Sequence, residues 1–296
     1  MLIVTLTLSP ALDVEYRVSS LVPGSLNRAA SHPVSAGGKG INVTRAILNC
    51  AKRDGDRFPF KLRPVAPAGG ATGETFRKIL EDEGIWTYHF VEIEGSTRVN
   101  VSLIAEDGGT TEINAPGTPV GDKLPEIETG VLAQIGPGDW VVIAGSCPSD
   151  VPKSYPAELI AKIKEKGASA ALDCDGEALK IAVNAPVKPD LIKPNREELA
   201  ALCGCGTDKG SLFRAIESLG VPTVITTLAG DGCLVKDDGQ TFFMETVKRP
   251  VVRLKGAGDT FLGAYLYATA VREAPIFEEA VEYAMSVAGE YVAGEY

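Results

Sequence analysis

The chain has 296 residues, 45% apolar and 23% charged, which is ordinary globular make-up and enough for one large α/β domain with or without a small appendage. A formal net charge of −10 argues against a nucleic-acid partner, whose affinity needs a basic face. It leaves room for a phosphorylated small ligand in a locally positive pocket, and no apolar run reaches the ~18 residues of a membrane span.

The first ten residues, MLIVTLTLSP, read as a strand rather than a signal peptide, because no basic segment precedes the apolar run. Residues 13–18 alternate like a half-buried strand. At 35–43 comes the glycine-rich run Ser35-Ala36-Gly37-Gly38-Lys39-Gly40-Ile41-Asn42-Val43, followed by a helical stretch over 43–51. Glycine lets backbone approach a ligand, the helix start offers unpaired N–H groups, and Lys39 adds a charge suited to phosphate. The run is not a Walker A loop, since no Ser or Thr follows the lysine; a tight turn packing helix on sheet uses glycine too. Residues 52–63 read as a surface loop insertion.

Residues 97–105 alternate again, with Val99, Val101 and Leu103 on one face and Arg98, Asn100 and Ser102 on the other. Such a strand either covers a polar ligand or shows a solvated outer face. As part of a small β-lid it would exclude water from a transfer reaction. From about residue 130 strands and helices alternate, with strands at 141–144, 168–172, 191–192 and 221–226 and helices at 156–166 and 210–219. That order implies a parallel sheet with helices on both faces. The strands end at Ser146, Asp173, Asn195 and Thr227, polar residues at the carboxyl ends where open α/β sheets bind ligands. The same residue types are also common helix N-caps.

The second glycine-rich element is Lys255-Gly256-Ala257-Gly258-Asp259-Thr260-Phe261, opening an apolar and therefore buried helix that runs to about 271. The amides of Gly256, Ala257 and Gly258 would line up as an anion hole for a transferring phosphoryl group. Asp259 stands in the same turn, suited to accept a proton from an attacking hydroxyl, although Asp at a helix start is also a routine cap. Phe261 replaces the third glycine that a dinucleotide fingerprint needs. The two histidines, His32 and His89, have unremarkable surroundings, so carboxylates carry the chemistry. The six cysteines contain no CxxC pair, which suggests thiols in a reducing cytoplasm.

With both elements in this order, the sequence resembles the PfkB (ribokinase-like) carbohydrate kinases. The residues that carry the likeness are 36–43, Gly256-Ala257-Gly258-Asp259, Lys193-Pro194-Asn195-Arg196-Glu197-Glu198-Leu199 and Thr7-Leu8-Ser9-Pro10-Ala11-Leu12-Asp13. Within that family it is most similar to the 1-phosphofructokinase and tagatose-6-phosphate kinase branch, on Asn27-Arg28, Lys39, 97–101 and Asp173 with Gly176-Glu177-Ala178-Leu179. The resemblance implies a ribokinase-like three-layer α/β/α core with a parallel-rich sheet, in a single domain over 1–296. A β-strand lid would come from about 13–34 and 96–115. It implies transfer of a phosphoryl group from ATP, with Mg²⁺, to fructose 1-phosphate or tagatose 6-phosphate, giving a 1,6-bisphosphate.

By the same resemblance Arg28, Lys39 and Arg98 grip the substrate phosphate, and Asp13, Gly38, Asn42 and Asn100 bind sugar hydroxyls. Lys193 meets the ATP phosphates, Asp173, Thr227 and Gly232 belong to the nucleotide side, and Asn195 with Glu198 organises magnesium. Asp259 is the base, and two chains pair through their lids. The sequence departs from the family at Arg253-Leu254-Lys255, where relatives carry small or β-branched residues near a monovalent-cation site; K⁺ dependence is therefore expected to be weak or absent. Ala229 stands where the nucleotide loop commonly has glycine, and the chain stops at Glu295-Tyr296, about a helix before relatives usually do. The rival readings are a kinase for another sugar or a nucleoside, and a catalytically weak sugar-phosphate-binding regulatory protein. A nicotinamide-dependent dehydrogenase is disfavoured by the missing fingerprint.

Overall fold

The structure is a computed structural model and describes residues 1–55, 60–271 and 277–296. The chain opens with β1 (Leu2–Leu6), β2 (Ala11–Val18), β3 (Val34–Gly37) and α1 (Lys39–Asp54). It continues through β4 (Lys61–Ala68), α2 (Gly70–Asp82), β5 (His89–Glu92), β6 (Arg98–Ala105) and β7 (Thr110–Asn114). After α3 (Leu124–Leu132) come β8 (Trp140–Ala144), α4 (Tyr155–Glu165), β9 (Ser169–Asp173), α5 (Gly176–Asn184) and β10 (Leu191–Ile192). The last part holds α6 (Arg196–Cys203), α7 (Lys209–Ser218), β11 (Thr223–Thr227), β12 (Cys233–Asp237), β13 (Gln240–Met244), α8 (Ala257–Leu266) and α9 (Phe277–Ala293).

The main sheet has the order β13-β12-β11-β10-β9-β8-β1-β4-β5. It is parallel from β5 to β11, and the hairpin strands β12 and β13 add antiparallel. Its strands read as apolar runs because both faces are covered. Val141, Ile143, Ala170 and Leu172 pack with Leu159, Ile160 and Ile163 of α4 on one face. The alternate residues Val142, Ala144 and Ala171 pack with α1, α8 and α9 on the other. The expected three-layer core is therefore present. From β1 the chain steps to β4 and β5 on one side and to β8 through β11 on the other, so the direction of winding reverses between β1 and β8. Open α/β sheets bind ligands at the carboxyl side of that point.

A second sheet, ordered β3-β2-β6-β7, stands beside these strand ends. Its apolar side packs Leu12, Ala36 and Val99 on Phe76 and Leu80 of α2 and Ile41 and Leu48 of α1. The register sets Asp13 against Asn100 on the opposite side. The alternation read from 97–105 is real, and its polar side is the buried one: Asn100 and Ser102 are almost fully covered.

Two boundaries differ from expectation. Helix α1 starts at Lys39 rather than 43, so Lys39 and Asn42 belong to its first turn. The loop insertion expected over 52–63 is shorter, because α1 runs to Asp54 and β4 starts at Lys61; of that stretch, 56–59 lie outside the described residues. Helix α8 ends at Leu266 and the chain continues through a π-helical turn over Tyr267–Val271. Every residue of α8 from Asp259 onward is buried, as its all-round apolar sequence requires.

Candidate active site

A cavity of about 550 Å³ lies between the carboxyl ends of the main sheet and the polar side of the second sheet. Thr7 and Ser9 follow β1, Gly145 and Ser146 follow β8, Asp173 ends β9, Lys193 and Asn195 follow β10, and Thr227 ends β11. The four polar strand ends singled out in the sequence thus line one space. Asp13, Arg98, Asn100 and Asn114 reach it from the second sheet, and Gly38, Lys39, Asn42, Gly256, Gly258 and Asp259 from the starts of α1 and α8.

Asp259 is buried at 7% exposure. Its Oδ2 accepts a 2.8 Å hydrogen bond from Asn42 Nδ2. The amide of Asn42 is oriented by Arg45, whose Nη1 donates to Asn42 Oδ1 at 2.8 Å. Arg45 is held in turn by Glu83 and the carbonyl of Ala36. Burial pushes the Asp259 carboxyl up to about 6, and the charge of Asp173 adds to the rise. The Asn42 bond and the ammoniums of Lys193 and Lys39 pull the other way. A carboxyl near 6 is ionised at neutral pH and still basic enough to take a proton. Asp259 is not the cap of α8: that position is Gly256, and Asp259 stands in the first turn with its carboxylate turned to Asn42.

The turn before Asp259 needs glycine for two reasons. Gly256 has φ +86°, the left-handed region, and a Cβ there would stand 2.8 Å from Tyr291 Oη. At Gly258 a Cβ would stand 3.2 Å from Lys193 Nζ, so the missing side chain lets that ammonium reach the helix start. One part of the expected anion hole is corrected. The N–H of Ala257 already donates to Leu254 O, because the turn closes on itself as it enters the helix. Unlike Ala257, neither Gly258 nor Asp259 has an acceptor in the preceding turn, and these are the amides α8 offers to an anion.

Asp173 is almost wholly buried between two lysines, with Lys39 Nζ at 3.1 Å and Lys193 Nζ at 3.2 Å. Burial works against its charge, but Lys193 and Lys39 outweigh it and hold the carboxyl below the usual carboxylate range. Lys39 is likewise disfavoured by burial, yet Asp173, Glu198 and Asp259 hold its ammonium above the ordinary lysine range. Asp173 therefore fixes two cations at the floor of the cavity. Asn195 and Glu198 form a capping box at the start of α6, each side chain accepting from the other's backbone N–H at 2.8 Å. Arg98 donates to Ser9 O and Ala115 O, and Asn100 Nδ2 donates to Asp13 Oδ1 at 3.0 Å.

Arg28 is not brought to this cavity. It lies exposed on the connection between β2 and β3, where Asn27 ties the turn by bonding Val22 and Ser25. The basic trio of 28, 39 and 98 therefore does not converge within one chain. Gly232 does not line the cavity either; it turns the chain into β12, where a Cβ would meet Met244 O at 1.9 Å. Ala229 takes φ +52°, the conformation for which glycine is the unstrained choice. Ser9, Asn114 and Asp175 line the cavity without having been assigned a role from the sequence, and Lys255, read there as a departure beside a cation site, lines it too. Asn114 ends a short polar alternation, TTEIN, too exposed to stand out from an ordinary edge strand.

Residues 6–294 match the pfkB family carbohydrate kinases. The chain is 32% identical over 269 residues to the 1-phosphofructokinase of Bacillus subtilis strain 168, covering 90% of this chain and 84% of that protein. Its fold superposes on phosphofructokinase-2 from Escherichia coli solved with substrates and products, with TM-score 0.88, 28% identity, and 99% of this chain and 94% of that one covered. The same relative solved with potassium gives TM-score 0.87 and 29% identity over 98% of this chain and 92% of that one. The chain belongs to the pfkB family of carbohydrate kinases.

Proposed function

We propose that this sugar kinase transfers the γ-phosphoryl group of ATP to a hydroxyl of a ketohexose monophosphate, fructose 1-phosphate or tagatose 6-phosphate, forming a 1,6-bisphosphate. The observation that carries the reading is Asp259: a buried carboxyl, raised to about 6, at a helix start that also offers free amides and the Lys193 ammonium. Asp13, Asn100, Asn42, Gly38 and Arg98 form the acceptor side of the cavity, and Lys193, Asn195 and Thr227 the donor side. Lys39, expected on the substrate phosphate, sits beside Lys193 on Asp173 and is assigned to the donor side. Asp259 takes the hydroxyl proton as that oxygen attacks the γ-phosphorus in line. The bond from the γ-phosphorus to the bridging oxygen breaks, and ADP leaves with the electron pair. The Gly258 and Asp259 amides and Lys193 meet the charge on the phosphoryl oxygens. The second sheet acts as the lid that keeps water from competing with the sugar.

Glu198 and Asn195 both line the cavity and offer the oxygen donors that magnesium takes together with its waters. Glu198, with Asn195, would hold such an ion through its waters. When bound it supplies charge neutralisation on the nucleotide phosphates. Val34 and Ile113 are exposed apolar residues on the lid and support pairing of two copies there.

One observation favours a second reading, in which the acceptor is a free sugar: Arg28 stays outside the cavity and leaves fewer cations for a substrate phosphate. ADP release from Mg-ATP with fructose 1-phosphate, tagatose 6-phosphate, fructose 6-phosphate and free fructose decides between them. Turnover confined to a phosphorylated sugar supports the first reading, turnover confined to free fructose the second, and none with any acceptor refutes both.

A further inference from the structure

We propose that Lys255 is a specificity-determining residue, the cation that lets the acceptor side of the cavity take a phosphorylated rather than a neutral sugar. The inference rests on the phosphotransferase reading. Lys255 lines the cavity one residue before Gly256, and its ammonium stands 3.4 Å from Asp13 Oδ2 of the second sheet. Asp13 is the acidic group on that side, and its other oxygen already accepts from Asn100. A bare carboxylate there would repel a phosphate dianion, and Lys255 offsets it.

The other cations of the lining are held more closely, by partners other than Asp13. Lys39 and Lys193 both sit on Asp173, and Arg98 directs two of its nitrogens to Ser9 O and Ala115 O. Lys255 is 50% exposed, with a single carboxylate beside it. The lining carries five carboxylates, Asp13, Asp173, Asp175, Glu198 and Asp259, against four cations, so the loss of any one cation is felt by an anionic ligand. Arg28, which would otherwise supply this charge, lies outside.

The side chain leaves from a fixed stem. Tyr291 Oη donates to Lys255 O at 2.8 Å, and the amides of Val252 and Arg253 donate to Val292 O. The Arg253 guanidinium stacks on the Tyr291 ring at 3.9 Å and donates to Tyr291 O. Helix α9 thus clamps the segment, and the ammonium is aimed at the lid rather than carried on a loose loop.

The test compares wild type, Lys255→Met and Lys255→Arg by steady-state kinetics, with thermal unfolding as the control for folding. In Lys255→Met, kcat/KM for the phosphorylated acceptor should fall about tenfold, the effect of one nearby charge at partly screened distance. KM for Mg-ATP should stay within about twofold, free fructose should be used no worse than by wild type, and Lys255→Arg should recover most of the loss. An equal loss on phosphorylated and free sugar, or a loss confined to ATP, overturns the assignment. Absence of turnover in wild type counts against the functional reading alone. Calorimetric binding of fructose 1-phosphate without nucleotide then decides, and equal or undetectable affinity in wild type and Lys255→Met overturns the assignment.

Discussion

Replacing Asn42 with leucine keeps the side chain's size and removes the 2.8 Å donation to Asp259 Oδ2. That bond favours the ionised carboxylate, so its loss must raise the Asp259 pKa further. A hydrogen bond to a charged group is worth ~1.5–3 kcal/mol, and one pKa unit corresponds to ~1.4 kcal/mol, so the rise is about one to two units. Asp259 starts at about 6. A protonated Asp259 cannot accept the hydroxyl proton, so activity falls as pH drops through its pKa. The acid limb of kcat/KM should therefore move from near pH 6 in wild type to about pH 7–8 in Asn42→Leu. Arg45 keeps Glu83 and Ala36 O as partners, so the change stays local. The height of the plateau also reports any contact of Asn42 with the sugar, whereas the position of the limb reports the base. A limb that stays near pH 6 in the leucine variant, measured over a full pH series, would refute the assignment of Asp259 as the titrating base tuned by Asn42.

Asp259→Asn should lower kcat by about 10²–10⁴ while leaving acceptor affinity nearly intact. The same variant should be more stable at pH 8 by about 1–3 kcal/mol and little changed at pH 4. A raised folded-state pKa makes the ionised group a cost that is absent below about pH 4 and complete above about pH 6; thermal unfolding at both pH values checks it. Gly263→Ala would set a Cβ 2.6 Å from Ala46 Cβ and 2.8 Å from Val43 O, wedging α8 from α1. It should cost about 1–3 kcal/mol in denaturant unfolding and lower kcat/KM, since those helices carry Asp259 and Asn42. Asp173→Asn strands two lysines at the cavity floor and should cost about 3–5 kcal/mol at neutral pH. Because the folded-state pKa of Asp173 is depressed, wild type loses this advantage as pH falls through that value, so the gap in melting temperature should narrow in acid. Activity titrated with KCl should respond weakly, with the Lys255 ammonium already close to the Gly256 turn; strong activation would contradict this.

The glycine turn and the proposed base were legible because their chemistry is local. A glycine pair, an acidic residue and an apolar helix in consecutive positions already point to a buried helix whose start borders a cavity. The polar strand ends were legible for a related reason, since parallel strands present their carboxyl ends on one edge. Lys255 was visible only as a departure. Its partner Asp13 lies far away in sequence, and no spacing rule joins a strand of the second sheet to the turn before α8.

By itself the sequence determined the layered α/β core, the strand of the second sheet with a polar side, and the turn around Asp259, because burial periods and backbone needs are written in neighbouring residues. Tertiary structure alone decided which charges meet. Asp173 became the seat of two lysines, Ala257 closed its own turn, and Arg28 was left in solvent while Lys255 came in. The physical reason is distance: charges interact through space at a few ångströms, and only the placement of the second sheet beside the strand ends sets those separations.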